Sequence, residues 1–310
     1  MANTKVIKNR INSVRNTQKI TNAMYLIAST KLRKAKSELD AVRPFFELFE
    51  REIKLIFEKR ANLNSEYFYP VTGRKPAESY AYLVVTADKG LAGAYNMNII
   101  KAASEELKIH KKTRLFVVGE YGRQYFNKHH IEIEQAFPYT AQNPTFKRAK
   151  DIALRLLSEY EEGNVDEIRI IYSDSSGGGD AKVVIKRLLP FEREAFIGEK
   201  QVLSRFRPYE GSAADEYEFI PSAAEALSGI VPGYVAGYIY GALIDSFCSE
   251  QNARMTAMSS ANDNAEGLLS SLQLEYNSVR QAAITQEITE VAAGAKAQKK
   301  KRAKEKMKSE

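Results

Sequence analysis

From residue 5 to residue 58 the chain has no Gly and one Pro, Pro44. Apolar residues recur at Ile7, Ile11, Val14, Ile20, Met24, Ile27, Leu32, Leu39 and Val42, as along a single helical stripe. The pattern predicts one helix over residues 1–60, on the order of 75 Å long at 1.5 Å per residue, which must project from any globular body. The Pro- and Gly-bearing stretch "NSEYFYPVTGRKP" then ends it, giving a linker over 61–76.

The period changes beyond that linker. "YAYLVVTAD" (80–88), "RLFVVG" (114–119), "EIRIIYSD" (167–174) and "VVIKRLLPFE" (183–192) are short Val-, Ile- and Tyr-rich runs with the character of buried strands. Helical stretches at 96–110 and 145–162 lie between them, which predicts crossover units and a Rossmann-like, mainly parallel α/β domain over 77–205. A second long helix is expected within 206–298, starting at Pro232. Its seam is Leu269, Leu272, Tyr276, Val279 and Ala283, and Ile284, Ile288 and Val291 form another line. Neither terminal helix is stable alone over such a length, so the two are expected to pair as an antiparallel coiled coil. The fold class is therefore α/β plus a long antiparallel two-helix coiled coil. Residues 226–244 carry no charge and repeat Gly233, Gly237 and Gly241, yet Pro232, four Gly and three Tyr favour a buried helix over a membrane span.

Charge changes this picture only at the ends. Residues 296–310 hold eight Lys or Arg against two Glu, residues 2–36 hold nine and no acid, and the remainder is net −8. The segment 299–310 reads as a disordered basic tail. One cysteine, Cys248, and three histidines, two of them the adjacent His129 and His130, argue against disulfides, a metal site or a cofactor. The start of the chain reads as neither a signal peptide nor an anchor. "TADKGLAGAYN" (86–96) has Gly90 and Gly93 but neither the dinucleotide nor the phosphate-loop pattern, so it reads as a structural turn, as does "GGGD" (177–180). Asp88 and Asp174, at strand ends, read as cap or turn residues. A nucleotide-binding enzyme built on the α/β domain and a nucleic-acid-binding coiled coil stay open as rival readings on these grounds alone.

The stretch "SEQNARMTAMSSANDNA" (249–265) is helix-compatible but lacks a greasy face: Ala253, Ala257, Ser260, Ala261 and Ala265 would let a partner helix approach closely. From Ser249 to Ala295 the sequence closely resembles the C-terminal signature of the gamma subunits of F-type ATP synthases, bacterial type. "IKNRINSVRNTQKITNAMYLIASTKLRKAK" (7–36) resembles their N-terminal signature, and "TADKGLAGAYN" their strand-turn motif.

The resemblance implies a central-stalk rotor without catalytic residues of its own. It would couple rotation of a proteolipid ring, driven by proton or sodium flow, to ATP synthesis or hydrolysis; a paralogous F-type ATPase would use a gamma-like subunit in the same way. The implied partners are alpha and beta subunits, three each, around the shaft, with epsilon and the membrane proteolipid ring at the foot. One copy per complex is implied, with no nucleic acid, no membrane span, and a peripheral place on the cytoplasmic side of the cell membrane. It also implies that Arg280, Gln281, Thr285 and Glu287 meet the beta catch loops. Met24, Lys19, Lys31 and Arg33 would lie near an acidic beta loop, while Ala257, Ala261, Leu269, Leu272 and Val279 pack the shaft.

Overall fold

The computed structural model describes residues 2–59, 63, 65–68, 76–137, 141–175, 182–192 and 219–306. In chain order these give α1 (Ala2–Lys59), β1 (Ser79–Val85), α2 (Tyr95–Ile109), β2 (Lys112–Val118) and α3 (Glu120–Lys128). There follow β3 (Gln135–Phe137), α4 (Phe146–Glu161), β4 (Glu167–Asp174), β5 (Lys182–Leu189) and α5 (Ala223–Lys306). The five strands form one sheet in the order β3-β2-β1-β4-β5. All neighbours pair in parallel except β4 and β5, which are antiparallel. β3 and α3 have no counterpart in the sequence reading, because three half-buried residues are too few to show a period. The "GGGD" turn lies outside the described residues.

The chain divides into two compact units, residues 1–26 with 258–310, and residues 27–257. The division cuts across both long helices instead of separating them from the α/β domain.

In the larger unit the strands send alternate residues to opposite faces. Ala81, Leu83 and Val85 of β1, with Phe116, Val118, Ile168 and Ile170, join one cluster with α4, with Phe46, Ile53, Ile56 and Phe57 of α1, and with α5 from Leu227 to Cys248. Tyr82, Val84, Leu115, Val117 and Ile171 join the other, with Ile99, Ile100 and Phe126 from α2 and α3. A sheet covered on both faces needs strands that are apolar throughout, which is why they read as continuous apolar runs.

α5 begins nine residues before Pro232, the predicted start, and carries that proline inside it. The cause is local: in Ser222-Ala-Ala-Glu225 the Glu225 amide donates to Ser222 Oγ (3.2 Å) and the Ala226 amide to the Ser222 carbonyl (3.0 Å). This is a capping arrangement that nucleates the helix upstream of the proline. α5 has a stretch apolar and long enough to cross a membrane, but 67% of that stretch is buried inside the protein. Two glycines of its stripe receive aromatic rings of α1: a Cβ at Gly237 would stand 2.4 Å from Phe46, and one at Gly233 would stand 2.8 Å from Phe49. Gly241 faces open space.

At its far end α5 continues to Lys306, where the sequence predicted a disordered tail. Ala, Lys, Arg, Gln and Glu are all good helix formers, and a tail made of them prolongs the helix it follows. Residues 307–310 lie outside the described residues.

The smaller unit is a helix pair. Ile7, Ile11 and Leu272 form its buried centre, with Val14, Leu269, Tyr276 and Val279 packed against them. Along α1 in this unit the inward positions run Ile7, Ile11, Val14, Gln18, Thr21 and Tyr25, alternating steps of four and three. Ile20 and Ile27, which the sequence reading put on this stripe, are 61% and 55% exposed. Their inward places are taken by polar or small residues: Thr21 Oγ1 donates to Asn262 Oδ1, and Asn262 Nδ2 donates to Asn22 Oδ1 at 3.2 Å. A polar layer in an otherwise apolar seam favours one register of the two helices, since any slip leaves its groups unpaired.

Candidate functional site

The sheet reverses its winding at β1: β2 and β3 follow on one side, β4 and β5 on the other. In doubly wound folds the crevice at the carboxyl ends of such neighbouring strands receives ligands. Here α5 occupies it. Tyr95, at the start of α2, shares a 2.7 Å hydrogen bond with Ser246 of α5. The Ser173 amide, at the end of β4, donates to Ser246 Oγ (3.4 Å), and Ser249 Oγ donates back to the Ser173 carbonyl (3.1 Å). Ser175 Oγ donates to Asp245 at 3.1 Å. Ser246, Ser249, Glu250 and Gln251 are all buried, so this face of α5 is a polar seam closed against water. Burial of polar groups at this density is stable only because they satisfy one another.

The β1–α2 loop that meets α5 is held from several sides. The Ala87 amide donates to Asn96 Oδ1 at 2.9 Å, and Asp88 accepts the amides of Glu120 and Gln142, each at 3.0 Å. Asp88 is thus a turn and capping residue, and "TADKGLAGAYN" is a turn whose Leu91 and Gly93 take positive φ values of 64° and 55°. Gly119 closes the other side at φ 94°, where a Cβ would collide with the Thr86 carbonyl oxygen at 2.2 Å. Arg254 of α5 donates through Nη2 to the Gly90 carbonyl (2.9 Å) and through Nη1 to Glu250. Burial raises the Glu250 carboxyl above its ordinary value, an effect that Arg254 partly offsets. Burial and the Asp245 charge push the Cys248 thiol up to about 11, so it stays a protonated core residue.

The residues singled out by resemblance divide between the two units. In the smaller unit Arg280, Gln281, Thr285 and Glu287 are exposed on α5, Lys19 is exposed on α1 and Met24 is half-buried. Leu272 is buried there, and Leu269, Val279 and Ala261 are half-buried. Lys31 and Arg33, both exposed, and Ala257, half-buried, belong to the larger unit. Of the small residues in 249–265, Ala265 is buried and Ser260 is exposed, while Ala253 packs against the α2 and α3 side of the sheet. The stretch therefore begins as a sheet contact and only later becomes part of a helix pair. Sequence reasoning missed Tyr95, Ser173, Ser246, Ser249, Glu250 and Arg254; the Glu250–Arg254 spacing of four was the signal available.

All residues from Ile284 to Lys299 are exposed. Ile284, Ile288 and Val291 line one face of this stretch, at 47%, 64% and 73% exposure.

The family model for ATP synthase matches residues 3–298. The ATP synthase gamma chain of Caldanaerobacter subterraneus subsp. tengcongensis is 42% identical over 294 residues, 92% of this chain and 97% of that one. The sodium-ion-specific ATP synthase gamma chain of Acetobacterium woodii is 35% identical over 301 residues, covering 95% and 98%. Among solved structures, a chain of the Euglena gracilis mitochondrial ATP synthase superposes with a TM-score of 0.65 at 17% identity, over 96% of this chain and 94% of that one. Fold, full-length match and close sequence relatives agree: the chain belongs to the ATP synthase gamma-chain family.

Proposed function

We propose that the chain is the central-stalk rotor of an F-type ATP synthase, coupling rotation of a proteolipid ring to ATP synthesis or hydrolysis in a ring of alpha and beta subunits. The observation that carries this reading is the exposed end of α5. Its apolar line, Ile284, Ile288 and Val291, runs beside the exposed polar set Arg280, Gln281, Thr285 and Glu287. A surrounding sleeve of subunits would cover the first, and the second would give each subunit a different contact as the shaft turns. Differential contact shifts the conformational equilibrium of each neighbour, which is all that a shaft must do to drive catalysis elsewhere. Two solved structures with this fold are of the central stalk or the rotor of mitochondrial ATP synthases.

On this reading the chain contributes no catalytic group of its own. Its switch-point crevice is filled by Ser246 and Ser249 of α5, which supports a mechanical role over nucleotide chemistry there. Exposed Lys19 and half-buried Met24 suit an acidic beta loop, and the larger unit serves as the foot beside epsilon and the proteolipid ring on the cytoplasmic side of the membrane. The test is co-expression with the alpha and beta subunits of the same organism. Native mass spectrometry is expected to find one copy with three of each, and ATP-driven rotation of a probe fixed to the larger unit. Failure to co-purify with alpha and beta overturns the reading.

A further inference from the structure

We infer that Arg254 is a positioning residue that fastens the shaft helix to the β1–α2 loop of the foot under torque, setting how completely rotation is coupled to catalysis. This rests on the rotor reading. Ser246 and Ser249 tie α5 to the end of one strand, β4, and to Tyr95 by neutral hydrogen bonds, and Asp245 accepts from Ser175 just past that same strand. Arg254 is different in two respects. It lies closer to the C-terminal end of the α5 segment in the larger unit, and its guanidinium bridges two acceptors on separate elements, Glu250 of its own helix and the Gly90 carbonyl of the loop.

Both acceptors are firmly placed. Glu250 is buried and pairs with the guanidinium one turn along the same helix. Gly90 sits in a loop pinned by Asp88 to the amides of Glu120 and Gln142 and by Asn96 to the Ala87 amide. Any twist of α5 against the sheet stretches the bond between Arg254 and Gly90. A planar guanidinium can hold both acceptors at once; a lysine ammonium keeps the charge opposite Glu250 without that fork.

The experiment uses the complete membrane complex in proteoliposomes with Arg254→Lys and Arg254→Ala chains. ATP hydrolysis, ATP-driven uptake of protons and of sodium, and thermal melting of the complex are measured. For Arg254→Lys, hydrolysis and melting are expected to stay at parental values while ions moved per ATP fall about tenfold, the scale of losing one charge-assisted hydrogen bond. Arg254→Ala, which also strands Glu250, is expected to show a larger loss. An unchanged ratio in both variants overturns the proposal. So does a Lys variant whose ratio falls only in step with its melting temperature, since that is a purely structural role. A parental complex that moves no ions on ATP hydrolysis overturns the rotor reading instead, and the two failures are distinct.

Discussion

The same helix is built differently in the two units it passes through. In the larger unit α1 buries Phe46, Ile53, Ile56 and Phe57 against a sheet and α5, and rings enter glycine notches. In the smaller unit its inward line is Ile7, Ile11 and Val14, then Gln18, Thr21 and Tyr25, facing one other helix. Large side chains packed on several sides give many dispersion contacts and a deep, unique minimum. A seam of medium, small and polar residues gives fewer contacts per turn, with specificity from Thr21 and Asn262 in place of tight packing. A helix pair can thus be slender and correctly registered without being strongly held.

The sharpest way to break this comparison is a matched pair of truncations. Phe57→Ala is expected to cost about 3–5 kcal/mol and to lower protection from hydrogen exchange throughout residues 27–257. Leu272→Ala is expected to cost about 2–3 kcal/mol and to release mainly residues 2–26 and 258–283. Equal costs with the same pattern of released amides would show one cooperative body and end the contrast.

A smaller effect separates packing from partner contact. Ile288→Ser is expected to change the unfolding midpoint of the isolated chain by less than about 0.5 kcal/mol, because the residue is exposed, while weakening capture by alpha and beta subunits. Unaltered capture would remove the apolar line from the proposed bearing.

The smallest effect concerns pH. The Glu250 carboxyl is raised by burial above its ordinary value of 4.5, so its contribution to stability is complete below that pH and is lost as pH rises through the raised value. Glu250→Gln cannot ionise. The difference in unfolding midpoint between variant and parent should therefore shift in the variant's favour from pH 4.5 upward, and a constant difference would show that burial does not govern this carboxyl.

The sheet was legible because buried strands show themselves as continuous apolar runs, and β1, β2 and β4 are of that kind. The long helices were legible from the scarcity of breakers. The inward face of α1 was not, since Ile20 and Ile27 mimic a seam while pointing outward and Gln18 and Thr21 point in. On a helix that carries apolar residues on both faces, hydrophobicity alone cannot tell the two sides apart. The start of α5 was misplaced because Pro232 is a conspicuous signal and the Ser222 cap a quiet one. The polar seam was missed for a related reason: buried Ser246, Ser249 and Glu250 look like surface residues until their partners on β4, α2 and α5 itself are known.

The pairing of Thr21 with Asn262 joins residues 241 positions apart. A ribosome adding about 5–20 residues per second releases the first of them on the order of ten seconds or more before the second exists. During that interval Ile7, Ile11 and Val14 have no mate within their own chain, and identical nascent chains on neighbouring ribosomes offer one another the same bare line. A thin, partly polar seam offers a wrong partner few apolar contacts, and its own polar pairing can close only once Asn262 has been made.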